Sequence, residues 1–327
     1  MAVRDVVRLA AHVQLLPVLE SGEETLIGGQ AVMEGVMMRA PHSYCVAVRK
    51  PNGEIVTEEK TLSRVSERYP IFRFPILRGL GTLGQAMSLG FKALQFSANA
   101  QLEDEQKAQG KQQKPFSNWA MGIQLAFSLV FFIFAYKLVP LWLTTKLGTI
   151  APEIQGRILF NLTDGVIRIV IFLVFLYAIS RFRDIHRVFE YHGGEHRVVF
   201  NYESGQPVTV ETAQSFPTWH PRCGTSFLIT VMIISMLVYT VLPFDSFGAK
   251  LAARIVLLPL IAGLSYEVIR YAARRRGSLL ALLTAPGLWL QRITTQPPAG
   301  DQTEIAIIAL EGAMALERQQ GGELVIA

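Results

Sequence analysis

Four long apolar runs dominate the pattern of hydrophobic and polar positions along the chain. From Ala120 to Leu143 a single charge, Lys137, interrupts an apolar stretch, near enough to one end for its stem to snorkel to an interface. Ile158 to Ser180 is the second run. Its Asp164 and Arg168 lie four residues apart on one helical face, where they neutralise each other. Thr225 to Pro243 carries no charge, and Leu251 to Ala272 has an uncharged centre from Ile255 to Tyr266, with Glu267 and Arg270 toward its far end. At about 1.5 Å per helical residue, each run can cross a hydrocarbon core about 30 Å thick. The pattern predicts four transmembrane helices.

Shorter segments surround them. Thr25 to Leu62 predicts a small β unit, because TLIGGQAVMEGVMMRAP leads into YCVAVRK, a Pro51-Asn52-Gly53 turn and EIVTEEKTL, a hairpin signature. Gly28, Gly29 and Gly35 mark tight turns or close backbone approach within it. Between Arg78 and Lys92 the segment Phe74 to Ala100 has about thirteen uncharged residues, short for a span, which predicts an interfacial or re-entrant helix. Gln101 to Pro115 reads as a polar linker, Ser278 to Leu290 as a short interfacial stretch broken by Pro286 and Gly287, and Thr303 to Arg318 as an amphipathic helix. The expected fold is mainly α and polytopic, with a small N-terminal β unit. Its parts are 1–66 (cytoplasmic β unit), 67–119 (interfacial helix and linker), 120–272 (four-helix membrane domain with a ligand-rich loop, 181–224) and 273–327 (interfacial segment and cytoplasmic C-terminal helix).

Composition agrees with this reading. The chain has 327 residues, 50% of them hydrophobic and 17% charged, with a mean hydropathy of +0.32. These values exclude a disordered chain, a coiled coil and an ordinary soluble enzyme. Arg181, Arg183, Arg187, Arg197 and Arg222 lie between the second and third runs, and Arg274, Arg275 and Arg276 follow the fourth, whereas the other links are poor in charge. By the positive-inside rule, the middle loop and both termini face the cytoplasm of an inner-membrane protein. The first 25 residues lack the long apolar run of a cleavable signal peptide. The net charge of +5 follows from the same bias and from contact with anionic lipids, so no nucleic-acid partner is expected. Cys45 and Cys223, both on the cytoplasmic side, are expected as free thiols.

Most metal-type ligands fall in the middle loop. His192-Gly-Gly-Glu195-His196 has the H-x-x-E-H arrangement of inverzincins, in which two histidines one helical turn apart bind a metal and the glutamate takes a proton from water. Gly193 and Gly194 oppose a helix by about 1–2 kcal/mol, so a turn is the alternative. His220-Pro-Arg-Cys223 offers an imidazole and a thiolate three apart, or else a helix cap with an inert cysteine. Glu267, at the cytoplasmic end of the fourth run, either completes the ligand set or pairs with Arg270. Weaker candidates are the Asp164–Arg168 pair, the Gly28-Gly29-Gln30 loop, the Met33, Met37 and Met38 group, and Glu34 with Arg39.

The segments GGQAVMEGVMMRAP (Gly28 to Pro41), RVFEYHGGEH (Arg187 to His196), HPRCGTSF (His220 to Phe227), GLSYE (Gly263 to Glu267) and PGLWLQRITT (Pro286 to Thr295) together resemble the YqhQ-like family of bacterial membrane proteins. That resemblance implies an integral membrane protein with this ligand set, of a family described as predicted metal-dependent enzymes.

The expectation is therefore a membrane metalloenzyme of hydrolase type. A divalent metal, zinc in kind, would be held by His192 and His196 with His220, Cys223 or Glu267, and Glu195 would act as general base. Its partners would be membrane lipids and a membrane-associated substrate or protein. The alternative is a membrane assembly factor in which a closed metal site only holds the loop, and transport has little support from one internal charge pair. Cysteine labelling of intact cells is expected to reach position 150 from outside and not position 204; external labelling at 204 would overturn the topology.

Overall fold

The computed structural model describes residues 27–63, 65–108, 118–220, 223–274 and 285–319. The readings placed on the chain termini, on Arg222, on Arg275 and Arg276, on residues 109–115 of the linker and on the start of the 278–290 stretch lie outside the described residues, whereas 101–108 continue the helix before them.

Strands β1 (Gly28–Val32), β2 (Gly35–Arg39), β3 (Ser43–Arg49) and β4 (Ile55–Thr61) form an antiparallel meander in that order. The TLIGGQAVMEGVMMRAP stretch is thus itself a hairpin, turning at Met33-Glu34 with Glu34 at φ +50°. The Pro51-Asn52-Gly53 turn joins β3 to β4 as its residues predict, with Gly53 at φ +88°.

Alternation along β2 and β3 gives the sheet two apolar faces. Val36, Met38, Cys45 and Ala47 point to one side, where they meet Tyr191, Val198, Ile305, Leu310 and Met314. Those partners come from helices α5 (Arg183–Glu203) and α11 (Gly300–Gln319). Val32, Met37, Tyr44, Val46 and Val48 point to the other side, against Leu89, Ala93 and Ala100 of helix α1 (Leu77–Ala108). Met37 and Met38 therefore pack in opposite cores and do not form a soft-metal pair. Burial of each such side chain contributes about 1.5–3 kcal/mol.

Two expectations are corrected here. Residues 181–224 are not a loop for most of their length, since 21 of them form α5 and a further turn, α6 (Val210–Gln214), follows. Nor is the segment after Phe74 a short or re-entrant element. It is a 32-residue unbroken helix whose apolar stripe covers the sheet.

The apolar runs form α2 (Asn118–Ile133), a π-helical turn (Phe134–Leu138), α3 (Val139–Ile150), α4 (Arg157–Ile179), α7 (Gly224–Val241), α8 (Phe247–Val256) and α9 (Leu258–Arg274). Among the described residues, three helical stretches are long and apolar enough to cross a membrane: Gly122–Ile150, Arg157–Ile179 and Gly224–Val241. The fourth run is a pair, α8 and α9, bent by 52°. Pro259 accounts for the break, because it has no N–H to continue the helical ladder. Pro140 has the same effect on the turn before it, where the backbone relaxes into the π conformation. Lys137, in that turn, does not snorkel outward. It is 4% exposed and lies 5.9 Å from the Tyr239 ring centroid. Helix α10 (Ala285–Thr294) packs against α7.

Glu267 of α9 joins this region to α1. Its carboxylate accepts the backbone N–H of Ile76 at 3.2 Å and both a 2.6 Å bond from Arg78 Nε and a second bond from Arg78 Nη2. Ile76 has φ +69°, an unfavourable conformation for a β-branched residue, and the carboxylate holds the turn that starts α1. Glu267 is thus a structural clamp and not a metal ligand, and Arg78 rather than Arg270 is its hydrogen-bonded partner. Glu267→Gln is expected to lower stability by about 1–3 kcal/mol in chemical unfolding. Metal content should be unchanged.

Candidate functional site

Helix α5 carries His192, Glu195 and His196 on adjacent turns, with the two imidazole centroids 4.5 Å apart. Packing requires the first of its two glycines. A Cβ on Gly193 would lie 1.9 Å from the carbonyl oxygen of Gln296, whereas one on Gly194 would make only an ordinary contact, 3.5 Å from Pro298. The chain that links α10 to α11 is laid directly on α5, tied by a 2.9 Å bond from Gln296 N–H to the Phe189 carbonyl. Close approach thus outweighs helix propensity at this point.

Backbone carbonyls from two segments, the end of α10 and the chain between α6 and α7, fix the imidazoles. His192 Nδ1 lies 2.8 Å from the Thr294 carbonyl oxygen, and His196 Nδ1 lies 2.5 Å from that of Thr218. A carbonyl can only accept, so each Nδ1 carries the proton and each Nε2 presents a lone pair. The Nε2 of His192 is 3.2 Å from Cys223 Sγ, and the ligand atoms of His192, His196 and Cys223 all lie within 4.8 Å of one another. Backbone carbonyls on the far nitrogen are the arrangement that orients histidines toward a metal.

Cys223 occupies the cap position of α7 without capping it, so its sulfur remains turned toward His192. The preceding turn is gripped by Gln291 of α10, whose side chain accepts His220 N–H at 2.7 Å and donates to the His220 carbonyl at 2.8 Å and to Ser226 at 3.0 Å. Glu195 is 5% exposed, with Oε2 3.5 Å from His196 Nε2. Gly29 of β1 lies against it, where any Cβ would fall 2.5 Å from Glu195 Cγ. His192, Glu195, His196, His220 and Cys223 line one cavity of about 130 Å³, closed on its other side by Ile27, Gly28 and Gly29.

Of the predicted residues, five therefore converge and one does not. His220 lines the cavity with its ring 5.5 Å from His196, and its Nε2 is 3.7 Å from Glu203. Glu267 is held by Arg78 as described. Glu34 is bound by Arg187 through two 2.5 Å bonds and by the Tyr191 hydroxyl at 3.2 Å, which fastens the β1–β2 turn to α5. Arg39 lies 3.3 Å from Gln85 of α1. Sequence reasoning missed Thr218, Thr294 and Gln291, which act through backbone carbonyls and an amide and leave no ligand signature. The glycine pair Gly28-Gly29 was visible, but as a sign of a tight turn or close backbone approach and not as the wall facing Glu195.

Burial pushes His196 and His220 down to about 4, desolvation being the main cause in both. Both imidazoles are neutral at pH 7 and fit to act as ligands. Beside them in and around the cavity stand His192, the Glu195 and Glu203 carboxyls and the Cys223 thiol, a set that suits a divalent cation. The unfolded chain binds protons at His196 and His220 at higher pH than the folded one. Stability of the metal-free protein is therefore expected to be fully present above about 6.5 and to fall as pH drops toward 4. Thermal melts in chelator across that range test this, with a smaller fall expected for His220→Asn.

Comparison with known proteins places the chain in a family. The model of a protein family of unknown function, DUF1385, matches residues 74–316. "Uncharacterized protein YqhQ" of Bacillus subtilis (strain 168) is 33% identical over 297 residues, covering 89% of this chain and 92% of that protein. No solved structure matches. The strand and helices that wall the cavity thus belong to a chain aligned nearly end to end with that relative, and the protein is a member of the YqhQ-like DUF1385 family.

Proposed function

We propose that the protein is an integral membrane, metal-dependent hydrolase whose centre lies at the cytoplasmic face of the bacterial inner membrane. One observation carries the reading: two histidines whose Nδ1 atoms are engaged by backbone carbonyls turn their Nε2 atoms to a shared cavity with Cys223, with a buried glutamate beside them. His192, His196 and Cys223 would hold a zinc-type divalent ion, which when bound supplies a Lewis acid and lowers the pKa of water. The carbonyls of Thr294 and Thr218 keep the imidazoles in the correct tautomer. Glu195, outside the ligand group but lining the cavity, accepts a proton from water there and returns it to the leaving group. Gly29 keeps the wall beside that carboxylate free of side chain.

The membrane part of the reading rests on the apolar helices, most of whose side chains are exposed on the isolated chain, 22–33% of each span being buried. The sheet, α5 and α11 share one core and so must lie on one side of the bilayer, in agreement with the arginine distribution. Cys223 and Gly224, at the cavity, open the third span. A substrate at the membrane surface is the one best placed to reach it.

A second reading is favoured by His220, which lines the same cavity and would close a four-ligand structural site. Glu195→Gln separates the two. In the hydrolase reading it keeps metal and fold but fails to complement a deletion strain, because an amide cannot accept the proton. In the structural reading it complements, whereas Cys223→Ser loses metal and protein level. The expected outcome is loss of complementation in Glu195→Gln with stoichiometric metal retained, and loss of metal in His192→Ala/His196→Ala. Metal retained by that double variant would overturn the site.

A further inference from the structure

The packed apolar helices hold a second group of ionisable side chains, distinct from the cavity. Asp164 and Arg168 of α4, Arg254 of α8 and Lys137 of the π turn are 1%, 2%, 2% and 4% exposed. Asp164 Oδ2 accepts from Arg168 Nη2 at 2.5 Å and lies 3.2 Å from Arg254 Nη2. Arg168 also donates to Ser235 at 2.9 Å, and Arg254 to Asn161 at 3.2 Å. The Tyr239 ring faces all three cations, with centroid distances of 5.9 Å from Lys137, 5.5 Å from Arg168 and 5.0 Å from Arg254.

The charges do not balance. A guanidinium does not lose its proton in proteins, so two arginines against one carboxylate leave a net positive charge even when Lys137 is neutral. Among the described residues, no second carboxylate hydrogen-bonds or ion-pairs with these cations. The Nε–H groups of both Arg168 and Arg254 are buried and have no acceptor. A buried, uncompensated cation with unused donors is among the most costly arrangements a protein interior can hold. Asp164 Oδ1 likewise has no donor, which favours a charge that arrives with a water molecule.

We propose that this cluster is a binding site for a small inorganic anion of the halide class, held between the two guanidinium Nε–H groups and the Lys137 ammonium. Size follows from place. Arg168 lies at the middle of the 23-residue α4, beyond the reach of a lipid headgroup, and the four side chains are tightly enclosed. The backbone provides for adjustment at two of the cations. Lys137 is within the π-helical turn, and Arg254 is three residues before the 52° break between α8 and α9. π turns and broken helices recur where polar ligands are bound among apolar helices.

The test is thermal unfolding of the full-length protein in detergent, with sodium chloride exchanged for sodium gluconate at constant ionic strength. The midpoint is expected to rise saturably, by a few degrees, with chloride or bromide and not with gluconate. Arg254→Gln takes away one of the two guanidinium Nε–H groups and lowers the excess charge by one, so it should lose most of the halide response while matching or exceeding the wild type in gluconate. Asp164→Asn adds to the excess, and should unfold earlier in gluconate and respond more strongly to chloride. The two variants move in opposite directions, so poor folding of one leaves the other decisive. Equal wild-type midpoints in the two salts would overturn the proposal, as would a full response in Arg254→Gln. Loss of the response in His192→Ala would assign the anion to the histidine cavity and overturn it equally.

Discussion

The contact between Gly193 and the Gln296 carbonyl sets the geometry of everything around the cavity. A side chain at that position would push the α10–α11 link away from α5, and with it the Thr294 carbonyl that orients His192. The same link turns the chain into α11, which supplies one wall of the sheet core. One backbone-to-backbone approach thereby couples the orientation of a ligand to the packing of the whole sheet unit. This is why a glycine stands at position 193 in a helix it would otherwise weaken.

Much of the architecture was legible because it follows from solvent. The apolar runs and their lengths give the helices, and alternation with a Pro-Asn-Gly turn gives the hairpin. The convergence of His192, His196, His220 and Cys223 could be read from residue type and spacing. What could not be read was long-range. Glu267 has the chemistry of a ligand, but its partner is Arg78, nearly two hundred positions earlier in the chain. Lys137 sits near enough to the end of its run to snorkel, yet it is buried beside the Tyr239 ring of another helix. The helix at His192 was in doubt on propensity alone, because nothing local tells of the segment that lies against it.

The two polar centres of the molecule are built on opposite principles. At the cavity, neutral imidazoles gather with acidic groups, and the backbone carbonyls that surround them fix protons without adding charge. Between the apolar helices, cations outnumber the one carboxylate, and aromatic and hydroxyl groups surround them. The first collects negative potential and the second positive. They are separated along α7, which follows directly on Cys223 and carries Ser235 and Tyr239 farther on.

The meander at the start of the chain is closed by a helix from its end. Val36, Met38 and Cys45 are covered on one face only in part, by Tyr191 and Val198 of α5, until α11, some 260 residues later, is made. During synthesis the strands must wait, half-finished, while all the apolar helices between them emerge. Helix α11 therefore acts as a check that the chain before it has been made. A chain cut short anywhere before Gly300 leaves that sheet face without its closing helix, and so carries the exposed apolar surface that quality control recognises.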